Sequence, residues 1–217
     1  MSLPHFPNLD VFAYRDYRCE IRTGDLLFAS GSTPFARVVQ QASGCCWNQV
    51  GLIWRLEPFD QVLVLESHEH HGVRVLPLSR FVRSYDGLDQ GYAGRLALAR
   101  HRRFQECANA DSLQAMANFA WGSLGRPADP LQTERLLARL MSGRIGLHPK
   151  ETKSHGEWLS SEFVAGCYGQ LGLHLPCLID ESTTTPADIT RDSNLLWLCE
   201  LEVELEQANV EAHAAAF

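Results

Sequence analysis

Glu157-Trp158-Leu159-Ser160-Ser161-Glu162-Phe163-Val164 is the stretch on which the reading of the chain turns. A turn-like Gly156 precedes it, and an amphipathic run continues through Ala165, Cys167 and Tyr168 to Leu171, so the segment reads as the start of a helix packed on a core. The first N–H groups of a helix lack intrahelical partners, and with the helix dipole they favour negative charge, which makes Ser160 a position suited to a nucleophile. The same residues fit an ordinary cap, in which Ser160 or Ser161 accepts from first-turn N–H groups and Glu162 complements them.

Outward from this helix, the 217 residues carry 26 acidic and 19 basic side chains, a net charge of −7, with 45% hydrophobic and 21% charged residues. That composition suits one core, and a single domain over residues 1–217 is expected. The acidic balance argues against nucleic acid as a partner, because phosphate contacts need a basic face. Arg95, Arg100, Arg102 and Arg103 cluster, and read as the top of a solvated strand end. The amino-terminal residues lack the basic flank and apolar run of a secretory signal. No stretch reaches the roughly 20 apolar residues that span a bilayer. Seven cysteines without paired metal-ligand spacing read as reduced thiols of a cytoplasmic protein. The adjacent Cys45-Cys46 pair reads as small buried filler, with redox activity as the alternative.

In chain order, residues 1–20 are expected to wrap the surface before a turn at Arg22-Thr23-Gly24-Asp25 feeds a strand at Leu26-Leu27-Phe28-Ala29. A helix follows, with Pro34 at its start, Phe35, Val38 and Val39 on its stripe and Gly44 ending it. Strands are expected over 47–54, 62–67, 72–78 and 94–100, joined as an antiparallel meander that curls toward a small barrel. The period then changes to helical over 112–121 and 131–141, residues 142–156 read as an exposed loop, and a last strand covers 195–205 before a frayed tail. The fold class expected is therefore α+β, an antiparallel sheet or small barrel packed against helices.

Several of these segments carry a family likeness. Ser160-Ser161-Glu162-Phe163-Val164 resembles the Cys-Ser-Glu-Leu-Val stretch that bears the nucleophile in the YiiX/YebB-like branch of the permuted papain-like (NlpC-type) amidases. Gly24-Asp25-Leu26-Leu27-Phe28 resembles that family's Gly-Asp-aliphatic opening, and Trp47-Asn48-Gln49-Val50-Gly51-Leu52 its aromatic-Ser-His-Val-Gly strand. Val64-Leu65-Glu66-Ser67, Gly72 to Leu78 and Thr185-Pro186-Ala187-Asp188 match in order and spacing, so the likeness covers roughly residues 22–82 and 155–190. The resemblance implies a permuted papain-like fold, with Ser160 at the nucleophile position, Gln49 at the general-base position and Glu66 at the orienting position.

Two of those positions are chemically altered. A thiolate works because a neighbouring imidazolium lowers its pKa and the imidazole then carries the proton. An amide at position 49 neither accepts a proton near neutrality nor supplies charge, and a hydroxyl at position 160 without a base is a poor nucleophile. His68, two residues after Glu66 on the same strand face, and His155, just before Ser160, are the candidate substitute bases for a Ser-His-Glu arrangement. Against that, His68, His70 and His71 lie with Glu69 in a polar turn where solvent exposure is the default. The same cluster lacks zincin spacing and a cysteine pair, so no metal or other cofactor is expected. The resemblance thus implies a degenerate amidase that binds a small peptide, acyl or cell-wall-fragment ligand. The alternatives are an active hydrolase or acyltransferase built on Ser160 with a relocated base, and a non-catalytic scaffold. Oligomeric state is not legible in the sequence.

Overall fold

The computed structural model describes residues 6–68, 70–88, 90–127, 160–176 and 184–204. The expected helix at 131–141, the loop at 142–156 and the tail after Glu204 lie outside these residues, as do Glu157, Trp158 and Leu159.

Leu26, Phe28, Val50, Leu52 and Leu65 form one buried row, and Leu27, Ala29, Ile53 and Val64 form another. This alternation is what a strand apolar on both sides produces when each face is covered. The strands are β1 (Val11–Phe12), β2 (Leu26–Gly31), β3 (Gln49–Leu56), β4 (Gln61–His68), β5 (Gly72–Pro77), β6 (Gly94–His101) and β7 (Leu195–Leu201). They make one seven-stranded sheet in the order β1-β7-β6-β2-β3-β4-β5, antiparallel throughout except for the parallel pair β1 and β7. The chain is a mixed α+β fold.

The antiparallel meander expected to run through the strand at 94–100 holds for β2 to β5 and fails at β6, which crosses back to pair with β2. Gly94 makes that approach feasible: a Cβ there would stand 2.0 Å from the Ser30 carbonyl oxygen. With β1 and β5 at its edges, the sheet runs in open order.

Helices cover both faces. On the first face pack α5 (Ala110–Gly122) through Met116 and Ala120, and α6 (Ser160–Gly169) through Phe163, Val164 and Cys167. On the second face α3 (Leu78–Arg83) contributes Phe81 and Val82. The strand expected to run on to Leu78 therefore ends at Pro77, where the chain turns into α3. Short elements lay below the reach of periodicity: α1 (Tyr14–Tyr17), α4 (Phe104–Cys107) and α7 (Pro186–Ile189) have four residues each.

Local chemistry sets the remaining boundaries. The helix α2 (Pro34–Ser43) starts where Thr33 Oγ1 accepts from the Ala36 N–H at 3.1 Å and ends at Gly44, which is left-handed with φ 67°. Asn109 caps α5 reciprocally with Ser112, so that helix begins before the expected Ser112. Tyr168 ties α6 to the base of β2, donating to the Gly24 carbonyl at 2.6 Å in a fully buried setting.

Candidate functional site

Pairing Leu52 with Leu65 and Ile53 with Val64 sets β3 against β4 so that Glu66 falls beside Gly51. There is little room at that point, since a Cβ on Gly51 would lie 2.6 Å from Val64 Cγ1 and 3.7 Å from Glu66 Cβ. Gln49, the first residue of β3, donates from Nε2 to Glu66 Oε2. The other oxygen, Oε1, accepts from Arg74 of β5, whose Nε and Nη2 both lie at 2.7 Å. Arg74 also donates through Nη1 to Asp86 Oδ1 at 2.7 Å and through Nη2 to the Tyr85 hydroxyl at 3.0 Å, and its guanidinium sits 5.5 Å from the Tyr85 ring centroid.

Glu66 is 1% exposed. Burial pushes its carboxyl up to about 7, against the opposing pull of Arg74. The arrangement is a buried carboxyl with one oxygen held by an amide and the other by a guanidinium, capable of taking up or releasing a proton near neutrality. Arg74, Tyr85 and Asp86 were not singled out from sequence. The alternation along Val73-Arg74-Val75 was the available signal, because it puts Arg74 on the strand face opposite its two apolar neighbours.

His68, at the end of β4, belongs to the same polar patch and not to a solvated turn. Its side chain is only 12% exposed, with Nε2 3.6 Å from Asp86 Oδ2 and Nδ1 accepting from the His70 N–H at 3.2 Å. The His71 ring stacks on it with centroids 5.0 Å apart. Burial and then the Arg74 charge hold the imidazole down to about 4, so it is neutral at pH 7 and a weak proton acceptor. Its second nitrogen is already engaged.

Ser160 opens α6 and is buried, one turn ahead of Phe163 and Val164. The helix lies against β3 and β4, the strands that carry Gln49 and Glu66. It covers the first face of the sheet, whereas Glu66, Arg74 and Tyr85 share the second face with Val64 and Phe81. The structure therefore joins Gln49 to Glu66 directly and His68 to them through Asp86 and Arg74. Among the described residues no hydrogen bond joins Ser160 to Gln49, Glu66 or an imidazole. Ser161, the other residue read as a cap, donates its hydroxyl to the Thr184 carbonyl. His155 lies outside the described residues.

Other matched segments have structural duties. Asp25 is 1% exposed and accepts from Arg100 Nε at 2.6 Å and Nη2 at 2.8 Å, so Arg100 is a partner of a buried carboxylate and not a solvated strand end. Arg95 likewise pairs with Glu200 and lies 3.9 Å from the Phe6 ring centroid. Asp188 closes a reciprocal cap with Thr185 at the start of α7. His101 is buried, with Nε2 3.3 Å from Asp192 Oδ2 and its ring edge-on to Tyr168. Burial lowers its pKa, and its Nδ1 has no partner among the described residues.

Among the described residues no three His, Cys, Asp or Glu side chains converge so as to hold a metal ion. No helix among them is long and apolar enough to cross a membrane.

No family model matches the chain, and no curated protein matches it. Among solved structures it is distantly similar to the crystal structure of metalloprotein YiiX from Escherichia coli O157:H7, DUF1105, at 17% sequence identity and a TM-score of 0.47. That likeness covers 82% of this chain and 97% of the other.

Proposed function

We propose that this chain is a single-domain, non-catalytic relative of the permuted papain-like amidases. In this reading it acts in the cytoplasm and holds a small peptide, acyl or cell-wall-fragment ligand where the start of α6 meets β3. The observation that carries the reading is the Gln49–Glu66 bond. Where papain-type chemistry needs an imidazole oriented by a carboxylate, this chain has an amide on a buried carboxyl, and an amide moves no proton at neutral pH. Arg74 takes the remaining carboxylate oxygen, so Glu66 is committed within the protein. His68, bound in the Asp86 patch and held far below neutrality, is no substitute.

The test measures binding and turnover together. A peptidoglycan stem peptide and a short acyl thioester are titrated calorimetrically against the wild-type chain and against Ser160→Trp, and the same mixtures are followed for hydrolysis. Saturable binding by wild type, lost in Ser160→Trp and without turnover, is expected. Hydrolysis that disappears in Ser160→Ala would overturn the non-catalytic reading, and absence of binding to either probe would leave the scaffold role.

A further inference from the structure

The end of β4 and the turn after it bring three imidazoles together. His68, the last residue of β4, is largely enclosed, whereas His70 and His71 of the turn are exposed. The His71 ring stacks on that of His68 with centroids 5.0 Å apart, and the His70 ring meets it edge-on at 5.7 Å. The Nδ1 lone pair of His68 accepts from the His70 backbone N–H at 3.2 Å, which places the imidazole hydrogen on Nε2, 3.6 Å from Asp86 Oδ2. Asp86 is already committed through its other oxygen to Arg74 Nη1 at 2.7 Å, and its backbone is held left-handed at φ 53°. The remaining titratable groups on this side are Glu66, two residues back on the same strand face, Arg74 of β5 and Tyr85, whose ring centroid lies 6.5 Å from that of His68.

We propose that this turn is an acid-sensitive latch, in which a proton arriving on His68 Nδ1 displaces the His70 N–H and lets the ring and the turn move into solvent. The proton and the N–H compete for one lone pair, so the hydrogen bond that closes the turn and a charged His68 exclude each other. Charge acts in the same direction. An imidazolium at this place would stand near the Arg74 guanidinium and against two further imidazoles, with an Asp86 carboxylate that Arg74 already shares. Burial and then Arg74 hold the ring down to about 4, with Asp86 offsetting them only in part. The closed turn therefore binds the proton less tightly than the released one, so closure is complete above the ordinary 6.5 and is lost as pH falls toward 4. With the ring at about 4 in place and 6.5 when released, the released form gains about twentyfold in relative population between pH 7 and pH 5. Release stops at Gly72, left-handed at φ 65° and the hinge of the movement. Beyond it the Val73 N–H donates to the Arg126 carbonyl and the Gly125 N–H to the Val73 carbonyl, each at 2.9 Å, contacts that involve no titrating group.

The test is amide hydrogen exchange of the isotopically labelled full chain, followed by NMR at pH 7 and pH 5 and corrected for the intrinsic exchange rate at each pH. The His70 amide should lose about twentyfold in protection at pH 5, while the Val73 amide, bound to the Arg126 carbonyl, keeps its own. His68→Asn supplies an amide oxygen near the place of Nδ1 and does not titrate, so in that variant the His70 amide should be protected equally at both values. Equal protection of the wild-type His70 amide at pH 7 and pH 5 would overturn the proposal. So would the same loss in His68→Asn, or a loss shared by Val73, which would mark a wider unfolding than release of the turn. Should His68→Asn fail to fold, the wild-type comparison of His70 with Val73 decides alone.

Discussion

Replacing Glu66 by Gln should change how stability depends on pH, by an amount the burial of the carboxyl fixes. Its folded value is about 7 against an ordinary 4.5. A raised carboxyl means that the folded chain holds the proton more tightly than the unfolded chain does. The stability this lends is complete below 4.5 and is lost as pH rises through 7. At about 1.4 kcal/mol per pH unit, the interval from 4.5 to 7 amounts to about 3 kcal/mol. The group is almost wholly buried, so solvent screening takes little from that figure. Glu66→Gln preserves the shape and the acceptor for Arg74, and its amide donates to Gln49 Oε1 after that side chain flips. Urea unfolding of both proteins at intervals from pH 4 to pH 8 isolates the effect in the difference between the two curves. The neighbouring His68, held down to about 4, gives the opposite trend, with stability present above its ordinary 6.5 and lost as pH falls, but it is common to both proteins. The variant should gain about 3 kcal/mol on wild type between pH 4 and pH 8. Parallel curves would refute the account of Glu66 as a carboxyl raised by burial.

Arg74→Met should cost about 3–5 kcal/mol in urea unfolding at pH 8, because it strands a buried carboxylate, and distinctly less at pH 5, where Glu66 takes up a proton. Tyr168→Phe removes the donor to the Gly24 carbonyl and leaves that oxygen buried, so thermal or urea unfolding should register a loss of about 1–3 kcal/mol. Binding to duplex DNA or single-stranded RNA, followed by fluorescence anisotropy, should be weak and non-specific, given the net charge of −7; tight binding with a steep salt dependence would contradict this.

What the sequence disclosed follows the reach of its patterns. The long strands are legible because β-branched and aromatic runs of six to eight residues leave little alternative, and the limits of β2, β3, β4 and β6 differ by no more than two residues from expectation, whereas β7 ends at Leu201, four residues short of the expected 205. The return of β6 to β2 is not legible, since it depends on which sheet edge is free once β3 to β5 have formed, and on Gly94 passing the Ser30 carbonyl. Arg100 and Arg95 looked like surface charge because their partners, Asp25 and Glu200, are 75 and 105 residues distant and only the fold brings them near. The Gln49–Glu66 contact was legible as a pair of positions, whereas Arg74, Tyr85 and Asp86 around it were not, because pairing across β4 and β5 and the turn after α3 assemble them.

The assembly bears on what position 66 does here. Burying a carboxyl unpaired costs several kcal/mol. Here the carboxyl sits at 1% exposure with both oxygens occupied, by Gln49 and Arg74, while Arg74 ties in Asp86 and Tyr85 from the segment after α3. An amide at position 49 is the neutral residue that suits this network, because it donates to Glu66 whatever the pH and brings no second titration beside a group already near neutrality. Position 49 is thus part of the clamp joining β3, β4 and β5 to the segment after α3. Gln49→His would bring a second titrating group beside Glu66 and make that clamp pH-dependent. Gln49→Leu, which removes the amide donor to Glu66 Oε2, should therefore lower stability more at pH 8 than at pH 5. If Gln49→Leu is equally stable at both values, Gln49 does not hold the ionised carboxyl in place.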